Sequence, residues 1–271
     1  MEATFRPGDQ GGASFFHGLG RATLDLVNHL GAATLFFTRA FLRIFRARQF
    51  PEVIQQVYQI GARSTGIVVF VGLFTGMVLG LQLYYTLAKF GSEGLLGSVV
   101  ALSLIRELGP VLAAIMITAR AGSSMAAEIG ILRISEQIDA LYTMRIDPVR
   151  YLISPRIAAS IISFPLLTAF FDLIGILGGY LTGVVLLGAN GGTYFSRIQS
   201  SVDLVDIRGG FIKSLVFALI VSTLCCYQGY FTHMRTDSHG AKSVSLSTTS
   251  AVMLSCMTIL IADYVVTSFL M

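Results

Sequence analysis

Charged side chains are scarce in this sequence, and that scarcity decides its broad class. Asp, Glu, Lys and Arg make up only 13% of the 271 residues, whereas 54% are hydrophobic. A single soluble domain of this size does not bury so much apolar surface in one core. The composition excludes an ordinary soluble protein and predicts one that lies in a bilayer.

Cysteine and histidine are also scarce, and neither is arranged to hold a metal. Cys225, Cys226 and Cys256 lie in apolar runs, where a free cysteine usually behaves as a small hydrophobe. The four histidines show no paired spacing such as HExxH. We therefore predict no disulfide and no metal site.

Catalytic and nucleotide-binding motifs are missing as well. There is no GxSxG. The nearest approach to a phosphate loop, residues 209–214, has Ile212 where a glycine must precede the lysine. The chain is therefore predicted to be no enzyme and to carry no cofactor, so that a second polypeptide would have to hydrolyse any ATP. The N-terminus lacks the pattern of a secretory signal, and we expect no cleavage.

Long apolar runs are what the sequence does have. A helix needs about 20 mostly apolar residues to cross the hydrocarbon core. Five runs are long enough, near residues 64–88, 96–119, 157–188, 210–231 and 248–270. We predict an all-α integral membrane protein with about five transmembrane helices, which form one domain over residues 1–271.

The basic residues predict how the helices are oriented. Connecting segments on one side carry 14 Arg and Lys residues, and those on the other side carry Lys89, Arg197 and Arg208. Because basic loops stay in the cytoplasm, the N-terminus is predicted to be cytoplasmic and the C-terminus to lie outside. The net charge of +4 could also suggest nucleic acid, but this distribution favours the cytoplasmic leaflet and no nucleic-acid partner.

The N-terminal region divides into two parts. Residues 1–14 are polar and are expected to be disordered. Residues 15–48 carry apolar side chains at helical spacing next to a face with Arg39, Arg43 and Arg46. This pattern predicts an interfacial amphipathic helix on the membrane surface, with a sixth buried helix as the alternative.

Two of the apolar runs contain glycine at every fourth position. One carries Gly72, Gly76 and Gly80, and the other carries Gly175, Gly179 and Gly183. Such spacing lets helix backbones approach closely. We favour packing within one subunit over a seam between two subunits.

Charged residues inside the runs are the strongest functional signal. Each costs about 2.5 to 3.5 kcal/mol at the centre of a membrane helix, so each requires a partner or a function. Five such residues occur, namely Arg106, Glu107, Asp172, Lys213 and Asp263. We leave Asp172 as structural and expect the other four to form one polar network, either as the floor of a substrate cavity or as ion pairs that hold the bundle together.

An apolar stripe of the first run is a candidate wall for that cavity. Leu79, Leu83, Leu87 and Phe90 follow helical spacing, and Leu108 lies next to the charged pair of the second run. Apolar walls with a few polar groups suit an amphipathic ligand.

The longest connection after the N-terminal region, residues 122–155, contains a short amphipathic segment. Ile134, Ile138, Leu141 and Met144 share one face, and Glu136 and Asp139 lie opposite. We predict a helix over 134–145 between the second and third spans that docks into a cytoplasmic partner, although it could also rest on the bilayer.

Two stretches, VALSLIRELGPVLAAIMITARAGSSMAAEIG and SEQIDALYTMRIDPVRYLISPR, strongly resemble the MlaE/YrbE permease family of bacterial ABC transporters. The resemblance runs from about residue 50 to the end. It implies a homodimer in the inner membrane that works with a cytoplasmic ATPase, which binds ATP and Mg, and with a periplasmic Mce-domain protein. A small accessory subunit on the ATPase is a further possible partner.

The resemblance also implies a function and roles for residues. The family moves phospholipids between the inner and outer membranes and so maintains outer-membrane lipid asymmetry. Its intramembrane charges correspond to Arg106, Glu107, Lys213 and Asp263, and its coupling helix corresponds to residues 136–144. Gln137 departs from the acidic residue that is frequent at this position, so a carboxylate there is not essential for docking.

Other functions remain open at this point. Glu107 and Asp263 could carry protons in a secondary transporter, although no internal repeat is evident. The hydrophobic substrate could be a sterol. An intramembrane enzyme is disfavoured because no nucleophile and base occur together.

Overall fold

The computed structural model describes residues 50–234 and 240–270, together with Gly31 and Thr38. The two N-terminal predictions, a disordered stretch over 1–14 and an interfacial helix over 15–48, lie outside the described residues apart from those two positions. Where the chain is described, it is helical and contains no strand.

Five helices are long and apolar enough to cross a membrane, as predicted: α1 (Pro51–Lys89), α2 (Glu93–Ile134), α4 (Val149–Leu186), α6 (Leu204–Tyr230) and α7 (Ala241–Leu270). Two short helices connect them, α3 (Gln137–Thr143) and α5 (Gly191–Ser201). Since successive spans alternate in direction, α3 lies at one end of the bundle and α5 at the other. This arrangement confirms the all-α membrane fold with a short helix between the second and third spans.

Helix α3 is shorter than the predicted range of 134–145. Ile134 ends α2, and Glu136 then takes a left-handed backbone conformation with φ of 58°. Arg145, just after α3, has the same φ. These two turns isolate α3 as a separate element because left-handed residues cannot continue a right-handed helix.

The glycines of α1 and α4 form one seam inside the subunit. Gly76 faces Gly175, and Gly80 faces Gly179. A Cβ atom on Gly76 would overlap the backbone carbonyl of Gly175. The glycine spacing is thus used for close packing of two helices of the same chain.

Gly76→Ala should therefore lower the melting temperature of the purified protein, because the helix backbones must separate to admit the methyl group. Gly66→Ala is the matched control, since nothing lies within 4 Å of a Cβ atom there and alanine favours the helix. Equal melting temperatures for the two variants would contradict this account of the seam.

Helices α1, α2 and α4 contain π-helical turns. They lie at Tyr58–Ala62, Leu104–Leu108, Thr118–Gly122, Val149–Ile153 and Leu181–Leu186. A π turn disturbs the regular hydrogen-bond ladder and is frequent at functional sites. Three carbonyl groups in these turns, those of Gln59, Arg106 and Leu152, accept hydrogen bonds from basic side chains.

Candidate functional site

Lys213 of α6 lies between two carboxylates from neighbouring helices. Its Nζ atom is 2.6 Å from Glu107 Oε2 on α2 and 3.1 Å from Asp263 Oδ1 on α7. The Lys213 side chain is only 3% exposed, whereas Glu107 is 39% and Asp263 20% exposed. We call these three residues the Lys213 cluster. A buried ammonium with two carboxylates satisfies the requirement that intramembrane charges be paired.

Two features of the sequence bring Lys213 to this position. Gly210, one turn earlier on α6, lets the helix approach α2 so closely that a Cβ atom would lie 2.6 Å from the Ile105 carbonyl. Pro110 has no N–H, so the Arg106 carbonyl four residues before it lacks its usual helical donor. Lys213 Nζ donates to that carbonyl at 2.8 Å. The proline and the glycine together create the third contact of the lysine.

Arg106 does not join the ion pairs of Lys213. Its Nε and Nη2 atoms both lie 2.7 Å from Asp206 Oδ1 at the start of α6. Asp206 Oδ2 also accepts a hydrogen bond from the Asp203 backbone N–H, as part of a capping box. In the predicted polar network of four residues, Arg106 therefore contacts Lys213 through its backbone carbonyl alone, and its side chain pairs with Asp206, which the prediction did not include.

Sequence reasoning missed Asp206, although a signal was present. Asp203 and Asp206 have the three-residue spacing of a helix N-terminal cap. Asp206 also lies seven residues before Lys213. The sequence therefore indicated that Asp206 lies on the same face of α6 as Lys213.

A recess of about 380 Å³ opens beside these charges. It is lined by Arg106, Glu107, Val205, Asp206, Gly209, Gly210, Lys213, Thr267 and Leu270. Charged groups lie next to apolar side chains from the ends of α6 and α7. This combination suits a ligand that has both a polar and an apolar part.

The predicted apolar stripe of α1 lies elsewhere. Leu79, Leu83 and Leu87 are half-buried against the core, as is Leu108. Phe90 is 77% exposed. None of these five side chains lines the recess beside Lys213, so the structure does not bring the stripe and the charges into one pocket of a single chain.

Asp172, left as structural, packs against the α2 backbone. A Cβ atom on Gly109 would overlap its Oδ1 atom, and that oxygen has no hydrogen-bond partner among the described residues. Asp172 lines a separate, largely apolar recess of about 250 Å³ between α4 and α6. It takes no part in the Lys213 cluster.

The residues predicted for coupling divide into two groups. Glu136, Asp139 and Met144 are exposed and Leu141 is half-buried, so they are accessible to a partner. Ile138 is fully buried and packs against residues such as Ile129 and Tyr230. Its predicted place on the docking surface is therefore wrong, because this side chain anchors α3 to the permease itself.

Polar contacts also hold α3 to the end of α6. Arg133 Nη1 lies 2.7 Å from Asp139 Oδ1, and Arg133 Nε donates to His233 Nδ1 at 2.9 Å. Burial, and then the Arg133 charge, lower the pKa of His233, which favours the neutral ring that accepts this bond. The hydroxyl groups of Tyr142 and Tyr230 are 2.7 Å apart. Helix α3 is thus fixed relative to α6.

The family model for the permease MlaE matches residues 53–269. The chain belongs to the MlaE permease family. It is 41% identical to a probable ABC transporter permease protein of Rickettsia bellii. The 250 aligned residues are 92% of this chain and 95% of that protein. The MlaE family assignment agrees with a transport subunit and not with an enzyme.

Two further MlaE-like relatives widen the comparison. The intermembrane phospholipid transport system permease protein MlaE of Haemophilus influenzae is 39% identical over 259 residues, 95% of this chain and 97% of that protein. The chloroplast protein TRIGALACTOSYLDIACYLGLYCEROL 1 of Arabidopsis thaliana is 35% identical over 229 residues, 84% of this chain and 64% of that protein. The similarity to MlaE proteins therefore extends through all five membrane-spanning helices.

Proposed function

We propose that this chain is the permease subunit of an ABC-type transporter that moves phospholipids between the inner and outer membranes and maintains outer-membrane lipid asymmetry. The observation that carries the proposal is the Lys213 cluster beside a recess with both polar and apolar walls. A phospholipid needs such a surface, since its charged headgroup and its acyl chains require different surroundings. The name of the Haemophilus relative, an intermembrane phospholipid transport system permease protein, points to the same substrate.

A second copy of the chain is part of the proposal. Arg106 is 45% and Glu107 39% exposed in the single chain, although both lie within a membrane-spanning helix. Charged side chains at such a depth face protein or water and not acyl chains. A homodimer that covers this face would enclose the recess. The stripe of Leu79, Leu83, Leu87 and Phe90 would then extend its apolar wall.

The remaining partners follow from orientation and from α3. With 14 basic residues on the α3 side against three on the other, we place the N-terminus and α3 in the cytoplasm and the C-terminus in the periplasm. A separate ATPase would bind ATP and Mg and contact α3. A periplasmic Mce-domain protein would meet the α5 end, and an accessory subunit could bind the ATPase.

The test is transport by the reconstituted complex of permease, ATPase and Mce-domain protein. We expect ATP to drive transfer of headgroup-labelled phospholipid out of the proteoliposomes, and Lys213→Ala to abolish that transfer. Transfer driven by a pH gradient without ATP would instead support a proton-coupled transporter. Transfer of sterol in place of phospholipid would show that the proposed substrate is not the one transported.

A further inference from the structure

A second group of basic side chains lies far from Lys213, between α1 and α2 near the α3 end of the bundle. It lines a small cavity of about 30 Å³. This volume holds one or two water molecules, and so one or two oxygen atoms of an oxyanion. The polar residues that line it are Gln56, Gln59 and Arg63 of α1 and Arg120, Ser124 and Glu128 of α2. We call it the arginine recess.

Two π turns hold Arg120 in place within the arginine recess. Arg120 lies in the turn Thr118–Gly122, and its Nη1 atom donates to the Gln59 carbonyl at 3.0 Å, within the turn Tyr58–Ala62. The same nitrogen lies 3.1 Å from Ser64 Oγ. The contacts use one nitrogen of the guanidinium group. A guanidinium has five N–H donors, so most of its donors are left for another group.

The positive charge of the recess is not neutralised within the described part of the chain. Neither Arg63 nor Arg120 makes an ion pair there. Glu128 is the one carboxylate that lines the recess, and its oxygens are engaged by Arg156 Nη2 and by Ser124 Oγ, each at 2.9 Å. Two guanidinium groups thus face a small cavity whose one carboxylate, within the described residues, is already paired with Arg156. Guanidinium groups without a counter-charge are suited to bind a phosphate.

The depth of the recess in the membrane identifies the source of that phosphate. About 20 helical residues cross the hydrocarbon core. Counted from Lys89, at the α5 end of α1, such a span ends near Phe70. Counted from Leu96 at the same end of α2, it ends near Met116. Arg63 and Arg120 lie about one to two turns further on. This places both guanidinium groups in the headgroup layer, where lipid phosphates surround the protein.

The chain's own N-terminal segment is a poor candidate to fill the recess. It directly precedes α1, but residues 15–48 carry five arginines and a single acidic residue, Asp25. Like charges would repel it from two guanidinium groups that make no ion pair among the described residues. An anionic lipid has the complementary charge.

We propose that the arginine recess binds the phosphate of a phospholipid headgroup in the leaflet at the α3 end. Arg120, held by the two π turns, and Arg63 would donate to the phosphate oxygens, while the acyl chains lie along α1. The assignment to the cytoplasmic leaflet rests on the proposed function and its orientation, but the phosphate site itself does not. It differs from the recess at Lys213 in both position and charge.

The experiment places a benzophenone photocrosslinker at Gln56, inside the recess, and at Phe70, on the exposed face of α1. The full-length permease alone is reconstituted in nanodiscs of phosphatidylglycerol doped with diacylglycerol of the same acyl chains. We expect the ratio of captured phospholipid to phosphate-free lipid to be about tenfold higher at Gln56 than at Phe70. Arg63→Gln, and Arg120→Gln, should reduce the ratio to the Phe70 value.

Lys242→Gln is the matched control, because it removes an exposed cation at the same end of the bundle, outside the recess. It should leave the ratio unchanged. Because Arg120→Gln also removes internal hydrogen bonds, Arg63→Gln decides the question if the other variant does not fold. Equal ratios at the two crosslinker positions, or an undiminished ratio in Arg63→Gln, would overturn the proposal.

Two further arms separate the alternatives. Equal capture ratios at Gln56 and Phe70, together with binding of inorganic phosphate to the permease that Arg63→Gln abolishes, would show that the recess takes a free anion and not a lipid. No ATPase is present, so the capture does not depend on transport. Normal capture by a complex that moves no phospholipid would contradict the proposed function and leave the headgroup site standing.

Discussion

Lys213→Ala is expected to be the most damaging single change in the membrane domain. It leaves Glu107 and Asp263, which share one ammonium group in the native protein, as two neighbouring carboxylates without a counter-charge. Removing one partner of a buried ion pair costs about 3 to 5 kcal/mol. Lipid transport or assembly of the complex should fail, as measured by outer-membrane barrier defects in cells that contain the variant at normal levels.

The sign of the coupling between Lys213 and Asp263 tests the cluster itself. Asp263→Ala should be milder than Lys213→Ala, because Glu107 remains 2.6 Å from the lysine. The double variant should be milder than the sum of the two losses, since it leaves one half-exposed carboxylate in place of two that repel each other. Lys242→Ala serves as a control for loss of positive charge. Strictly additive defects would mean that the residues act independently.

The sequence allowed the five spans and the charges within them to be predicted for a simple physical reason. Hydrocarbon thickness sets the length of an apolar run, and the cost of burying a charge makes each interruption conspicuous. Lys213, Glu107 and Asp263 could therefore be grouped before the fold was known. Which partner each would choose could not, because pairing depends on how deeply each helix enters the bundle.

Arg106 and Arg120 show where sequence reasoning stops. The Arg106 side chain pairs with Asp206 because the start of α6 lies at its level. Helical spacing places Asp206 on the face of Lys213, but it does not report the depth of α6 relative to Arg106. In the sequence, Arg120 is only one of the 14 basic residues assigned to connecting segments, yet π turns in two helices fix it beside Gln59. The two turns, Tyr58–Ala62 and Thr118–Gly122, contain no proline that would mark them in the sequence, so the contacts that depend on them were not predictable.

Ile138 shows a different limit. Helical spacing assigned it to the same apolar stripe as Leu141 and Met144, and a stripe does not say which part faces the bundle. In the structure Ile138 is fully buried, while Met144 is 68% exposed. Tyr142 and Tyr230 then tie the helix to α6. The apolar surface of α3 that a partner can reach is therefore smaller than the predicted stripe, because it does not include Ile138.

Leu141→Asp should separate the permease from its ATPase without unfolding the membrane domain. Leu141 is half-buried and lies on the element that we propose to enter the ATPase, so a carboxylate there would be desolvated on binding. Replacing an apolar anchor at the centre of an interface costs about 2 kcal/mol or more, which corresponds to roughly 30-fold in Kd. Co-purification and ATPase activity in the complex measure the loss.

Two companion variants make the interpretation specific. Leu141→Met keeps the apolar volume and should retain the ATPase, whereas Ile138→Asp should lower the melting temperature of the isolated permease because its site is internal. Asp139→Arg is a less specific probe, since it also breaks the ion pair with Arg133. If Leu141→Asp still co-purified with an ATPase of normal activity, α3 would not be the docking element, and the signal from ATP hydrolysis would have to reach α6 and Lys213 by another surface.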